Sequence, residues 1–218
     1  MKSLSLGIDI GGSGIKAGIV DLELGALIGE RIKLDTPQPS TPDAVASTIK
    51  NLLENIDWKG DNIGCGFPSI IMDGVALTAA NIDKAWIGVN VEKLLHSYTG
   101  HNYNVINDAD AAGLAERMFG RINHVKGTVL LLTLGTGIGS ALFYDGILVP
   151  NTELGHLIYK GSIAEDWVSN RARKGRDLDY DAWAKELAEF LDYVILLFSP
   201  RLIVLGGGVS FRFGERSV

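Results

Sequence analysis

The chain has 218 residues, is 46% hydrophobic, carries a net charge of −6 and holds one cysteine. That length and apolar content suit one large domain or two small lobes with a buried core. The acidic balance excludes nucleic acid as a bulk partner, because binding a phosphate backbone needs a broad basic face. A lone Cys65 excludes an intrachain disulfide framework and a multi-cysteine zinc site, and is expected to be a small core residue. No apolar run reaches the about 18 residues of a membrane-spanning helix, and no basic-then-apolar leader opens the chain. A cytoplasmic protein without a membrane partner is expected.

In chain order, residues 4–10 read as a strand, and residues 14–21 and 26–34 as two more, separated by the turn-prone Leu24-Gly25. The proline-rich connector TPQPSTP, residues 36–42, ends in Thr41, which can cap a helix from Pro42 to about residue 56. Val45, Ile49, Leu52, Leu53 and Ile56 would share one face of it. Strands over 62–67 and 102–106 and a helix over 109–119 complete a β-β-β-α-β-α half. Strands over 127–134, 138–144 and 147–149 then repeat the meander, followed by helices over about 164–172 and 181–198 and a buried strand over 202–205. DIGGSGIKAGIVDLELGALIG and TLGTGIGSALFYDGILV thus share the order strand, glycine turn, strand, turn, strand, a weak internal repeat.

Gly12-Ser13-Gly14-Ile15-Lys16-Ala17 satisfies the dinucleotide pattern G-x-G-x-x-A, but that site needs a helix after the glycines. Ile15, Ala17 and Ile19 alternate as in a strand, and no P-loop pattern is present, so a nucleotide fold of either kind is rejected. A plain hairpin or an anion-binding hairpin remains, since outward backbone N–H groups at a glycine turn form an anion concavity. Two such turns at equivalent points, with a third cluster at Gly206-Gly207-Gly208, would line a cleft between lobes. Asp9 could hold a Mg²⁺ ion that bridges phosphates, or simply cap the turn.

Asn107-Asp108-Ala109-Asp110 lies where a strand ends and a helix begins, the place where α/β sheets gather ligands. Either aspartate could be only a cap. A carboxylate that takes a hydroxyl proton is what phosphoryl transfer to an alcohol requires, and Asp108 is the candidate. Glu153 and His156 in NTELGHL, with Glu165 nearby, suit a polyhydroxyl ligand, while one histidine with two glutamates makes a poor zinc set. His156 as an ordinary packed histidine stays open.

GIDIGGSGIK, GFPS, TAANIDKAWIG, NDADAAGLAE, LTLGTGIGSAL, PNTELGHL and LFSPRLIVLGGGVS together resemble the ROK family of sugar kinases, and within it the polyphosphate glucokinase branch. The resemblance covers residues 4 to about 210. It implies an α/β, two-lobed actin-like ATPase fold of the ribonuclease H-like kind, with lobes over 1–107 and 108–218. It also implies transfer of a phosphoryl group from polyphosphate or ATP to the 6-hydroxyl of glucose, giving glucose 6-phosphate. Asp108 would be the general base. Asn81, Asn107, Glu153, His156 and Glu165, with Gly66 and Pro68, would bind the sugar. Gly11, Gly12, Ser13, Gly14, Lys16, Gly135, Thr136, Gly137, Gly207 and Gly208 would bind phosphate, and Asp9 a Mg²⁺ ion. A homodimer is implied.

Two departures from the family pattern stand out. The cysteine cluster that follows E-x-G-H in many members is replaced by LIYKGSIAED, so no zinc is expected. After Ser210 the chain reads FRFGERSV, unlike the family, so an incomplete C-terminal end is expected. A strictly ATP-dependent hexokinase and a sugar-binding protein without turnover are the alternatives. A DNA-binding member is disfavoured, because the first strand begins at Leu4. RARKGR, residues 171–176, is the densest basic run; it would either guide polyphosphate or be a solvated helix end.

Overall fold

The structure, a computed structural model, describes residues 3–120 and 122–208. The chain divides into two compact units, 1–111 and 112–218. In the first, β1 (Leu4–Ile10), β2 (Ile15–Asp21) and β3 (Ala26–Leu34) form the expected antiparallel meander. Helix α1 (Pro42–Leu53) follows, then β4 (Asn62–Phe67), the small hairpin β5 (Ile71–Met72) and β6 (Val75–Ala76), helix α2 (Val91–Thr99), β7 (Asn102–Asn107) and the start of helix α3 (Asp108–Phe119), which continues into the second unit. The sheet order is β3-β2-β1-β4-β7, with β4 and β7 parallel to β1.

Period-two alternation explains what β1 presents. Leu6, Ile8 and Ile10 are buried, whereas Asp9 is exposed on the opposite face. Val45, Ile49 and Leu52 of α1 and Val91 and Leu95 of α2 close over the core face. Each fully buried aliphatic side chain contributes about 1.5–3 kcal/mol, so these five helical residues add to the stabilisation that the buried strand residues supply. Cys65 is buried in this core, and burial pushes its thiol well above the usual range.

The second unit carries β8 (Thr128–Leu134), β9 (Ile138–Tyr144) and β10 (Ile147–Val149), the hairpin β11 (Ile158–Tyr159) and β12 (Ser162–Ile163), helices α4 (Glu165–Val168), α5 (Asn170–Gly175) and α6 (Tyr180–Phe198), and β13 (Leu202–Gly206). Its order, β10-β9-β8-β13 with β13 parallel to β8, reproduces the order β3-β2-β1-β4 of the first sheet. The internal repeat is therefore topological. The central run VLLL of β8, residues 129–132, is apolar because the strand is covered on both faces. Leu130, Leu132 and Leu134 meet Trp183, Leu187 and Phe190 of α6, while Val129 and Leu131 pack with Ala141 and Phe143.

Several expectations need correction. Thr41 occupies the N-cap position of α1 with extended backbone, but its side chain makes no capping bond; Pro42 at the first turn starts the helix instead. The helix expected over 164–172 is split at Ser169, whose backbone is extended (φ −70°, ψ 160°) and whose hydroxyl caps α5 by accepting Ala172 N–H. Helix α2 was not expected, although Asn90 caps it through Lys93 N–H and Gly100 closes it in the left-handed conformation. The tail FRFGERSV lies outside the described residues. Among the described residues, no helix is long and apolar enough to cross a membrane.

Candidate active site

The first glycine turn joins β1 to β2. Gly11 N–H donates to Gly14 O at 3.0 Å, and the Thr36 hydroxyl donates to Gly11 O at 2.5 Å. Glycine at 12 is required by crowding: a Cβ there would lie 2.9 Å from the backbone carbonyl oxygen of Asn81. That contact brings the turn against the segment bearing the expected sugar residue Asn81. The segment is anchored by Trp86, fully buried, whose indole N–H donates to Ser40 O and whose ring meets Phe67 edge-on at 4.7 Å. Asn81 itself is exposed.

Asp9 and Lys16 are cross-strand partners, and Lys16 Nζ lies 2.7 Å from Asp9 Oδ2. In the parallel register Asp9 sits beside Gly66, and the next residue of β4, Phe67, is opposite Asn107. Gly66 lies beside the first turn of α3, where an added Cβ would make an ordinary contact 3.5 Å from the Asp108 Cα. The Asn107 side chain accepts Ala109 N–H and Asp110 N–H on Oδ1, and donates from Nδ2 to Ser69 O at 3.1 Å. Asn107 is thus a buried cap that ties α3 to the GFPS strand end. Pro68 is half-buried next to it. Ser69, at the end of GFPS, also bonds Thr78 and so holds the loop leading to Asn81.

Asp108 opens α3 and is partly buried. Desolvation pushes its carboxyl up to about 6; the Ala109 N–H bond opposes the rise, and the charges of Asp9 and Asp110 add to it. A carboxylate with its pKa near neutrality at a strand-to-helix junction is suited to accept a proton.

In the second unit, the turn between β8 and β9 is closed by Gly135 N–H donating to Gly137 O at 3.0 Å. Thr136 is exposed at its tip. Because β13 runs parallel beside β8, its terminal glycines fall against this turn; a Cβ on Gly207 would lie 2.5 Å from Leu134 O. Gly208 is exposed.

Glu153 caps a single turn of 3-10 helix, Leu154–His156, whose last residue His156 has its Nδ1 3.3 Å from Glu153 Oε2. Ser140 straps this segment to β9, donating to Thr152 O at 2.6 Å and accepting Leu154 N–H at 3.0 Å. Glu165 is buried rather than presented to solvent, and its carboxylate is engaged by Ile138 N–H and by Arg171. Three arginines of the basic run have partners, although Arg171 and Arg176 remain exposed. Arg171 pairs with Glu165, Arg173 stacks on Tyr180 at 4.4 Å and donates to Leu178 O, and Arg176 pairs with Glu186 at 2.5 Å.

Residues 5–165 match the ROK family. The chain is 47% identical to the polyphosphate glucokinase of Mycobacterium tuberculosis over 205 residues, which are 94% of this chain and 77% of that protein. It is 45% identical to the polyphosphate glucokinase of Mycobacterium leprae, over 94% of this chain and 63% of that one. The fold superimposes on the inorganic polyphosphate/ATP-glucomannokinase of an Arthrobacter species with a TM-score of 0.93 and 48% identity, over 97% of this chain and 86% of that one. A ROK family glucokinase from Streptomyces griseus, solved with glucose and AMPPNP, matches with a TM-score of 0.79 and 25% identity, over 96% and 84% of the two chains.

Proposed function

The chain belongs to the ROK family, and on that premise we propose that it transfers a phosphoryl group from inorganic polyphosphate, or from ATP, to the 6-hydroxyl of glucose. The names of its relatives support the reaction class. Asp108 carries the reading at the level of residues, because its carboxyl is pushed up to about 6 and so is ionised at neutral pH while still basic enough to take a proton.

In this reading Asp108 accepts the proton of the sugar hydroxyl as its oxygen attacks the terminal phosphorus of the donor. The shortened polyphosphate, or ADP, leaves. The backbone N–H groups of the turns at Gly11, Gly12, Ser13 and Gly14 and at Gly135, Thr136 and Gly137, with Lys16, Gly207 and Gly208, hold phosphate oxygens. Asn81, Asn107, Glu153, His156 and Glu165, with Gly66 and Pro68, serve the sugar.

Among the described residues no three potential ligands cluster as an all-protein metal site. Mg²⁺ does not need one, since it takes one or two carboxylates together with phosphate oxygens and waters. Asp9, half exposed beside the first turn, fits that role, and the ion would neutralise donor charge there. A homodimer in the cytoplasm completes the proposal on the family resemblance alone; sedimentation and cell fractionation test it.

The decisive assay measures glucose 6-phosphate from glucose and Mg²⁺ with polyphosphate or with ATP, alongside Asp108→Asn. Turnover with polyphosphate is expected, together with a fall of about 10²–10⁴-fold in kcat for the variant. Turnover surviving in the variant would remove Asp108 as the base. Turnover with ATP alone would make the protein an ATP hexokinase, and none with either donor would leave a sugar-binding protein.

A further inference from the structure

The arginines of the basic run at 171–176 differ in what they touch. Arg173 is taken up by its own segment, stacking on Tyr180 at 4.4 Å and donating to Asn170 Oδ1 and Leu178 O. Arg176 is held by Glu186 and by Trp167, whose carbonyl it meets and whose ring it covers at 5.3 Å. Arg171 instead stands at the edge of the second glycine turn. Its Nη2 lies 3.3 Å from Glu165 Oε1, and Glu165 Oε2 accepts Ile138 N–H at 3.2 Å, immediately after Gly137. The residue before it meets the other end of the turn, with Asn170 N–H donating to Gly135 O at 3.0 Å. The side chain of Arg171 is 51% exposed, against 8% for Glu165, so a guanidinium open to solvent backs a buried carboxylate.

A carboxylate this close to a phosphate-binding turn would repel a polyanion, the more so where water is excluded. Arg171 cancels that charge. A guanidinium is planar and carries five N–H donors, so one edge serves the carboxylate while others serve a phosphate. We propose that Arg171 is a ligand of the phosphoryl donor: its guanidinium bridges Glu165 and a phosphate of the chain lying on the Gly135-Thr136-Gly137 turn. The proposal rests on the reading above, in which this turn holds donor phosphates. Polyphosphate and ATP offer the same phosphate chemistry here. Because Arg171 also supplies the counter-charge of Glu165, which serves the sugar, its loss reaches glucose binding as well, and the donor contact has to be read without glucose.

Calorimetric titration of the glucose-free protein with polyphosphate, and separately with ATP and Mg²⁺, tests this on the wild type, Arg171→Ala, Arg171→Lys and Lys174→Ala. Arg171→Ala should weaken polyphosphate binding about tenfold or more, the scale of losing one hydrogen bond to a charged group. It should also lower the slope of log Kd against log salt by about one, the mark of a lost phosphate contact. Arg171→Lys, which keeps a counter-charge for Glu165 should the alanine variant not fold, should stay at least about threefold weaker than wild type, since an ammonium lacks the second edge. Lys174→Ala, which removes the same charge from the same exposed run, should remain within about twofold. An equal loss with ATP puts the contact on a phosphate that both donors share, and a loss with polyphosphate alone puts it further along the chain; either supports the proposal. Polyphosphate binding within about twofold of wild type in both Arg171 variants, or an unchanged salt slope, would overturn it, as would an equal loss in Lys174→Ala, which would make the attraction a diffuse one. Each of those results leaves the donor reading standing, whereas a wild type that binds neither donor would remove that reading and this contact together.

Discussion

The turn at 11–14 and the turn at 135–137 follow equivalent strands in equivalent sheets, yet they are braced by different chemistry. The first is held by neutral groups: the Thr36 hydroxyl on Gly11 O, and the Asn81 carbonyl packed against Gly12. The second is held by a buried carboxylate, Glu165, and by Asn170 N–H. Near the first turn the charged groups, Asp9 and Lys16, are partly exposed and directed away from the core. At the second, the charge is part of the scaffold. A repeated strand-turn-strand unit thus preserves strand order while the turns and their supports diverge, four residues long at 11–14 and three at 135–137.

The largest effect that would break this contrast is expected at Gly12. Gly12→Ala forces a methyl group against a backbone carbonyl in a loop anchored by Trp86, so a loss of about 1–3 kcal/mol in urea unfolding is expected. Full stability in that variant would show that Asn81 does not brace the turn.

The next effect separates the units by pH. The Asp108 carboxyl is raised to about 6 from its ordinary 3.8, so the folded state disfavours its ionised form. Its contribution to stability is present below about pH 4 and is lost as pH rises through 6, a change on the order of 1–2 kcal/mol for a partly exposed group. Asp108→Asn should flatten stability across that window. Catalysis runs the other way: kcat/KM should climb as pH rises through about 6 and then level, since only the ionised carboxylate accepts a proton. A kcat/KM that is flat between pH 5 and 7 would argue against Asp108 as base.

Lys16→Ala should shift unfolding by no more than about 1 kcal/mol, because its pair with Asp9 is solvent-screened. It should nevertheless raise the donor KM; an unchanged KM would take Lys16 out of phosphate binding. The smallest effect is expected at Gly135, where an added Cβ meets nothing within 4 Å, so Gly135→Ala should stay within about 0.5 kcal/mol of wild type in the same urea assay.

Much of the fold was legible because hydrophobic period and turn chemistry are local. The strands at 4–10, 26–34, 62–67, 138–144 and 147–149 coincide with β1, β3, β4, β9 and β10. Helix α2 is also written locally, in Asn90 and Gly100, but its apolar face is only two buried residues, Val91 and Leu95. The break at Ser169 was not legible from periodicity, since a serine that caps the following turn reads like any helical serine.

For the site, residue types and their order along the chain pointed to Asp108, to both glycine turns and to the sugar-kinase family without any coordinates. Composition and periodicity act over a few residues, and motifs carry chemistry in their spacing. Which groups are turned inward depends on contacts between residues far apart in sequence. Asn107 as a buried cap tied to Ser69, and Glu165 as a brace for residues 137 and 138, arose only once the fold brought segments 38 and 27 residues apart into hydrogen-bonding distance, while Arg171 meets Glu165, six residues away, across the break at Ser169. Burial then removed water from those polar atoms, and each required the partner that the fold placed beside it.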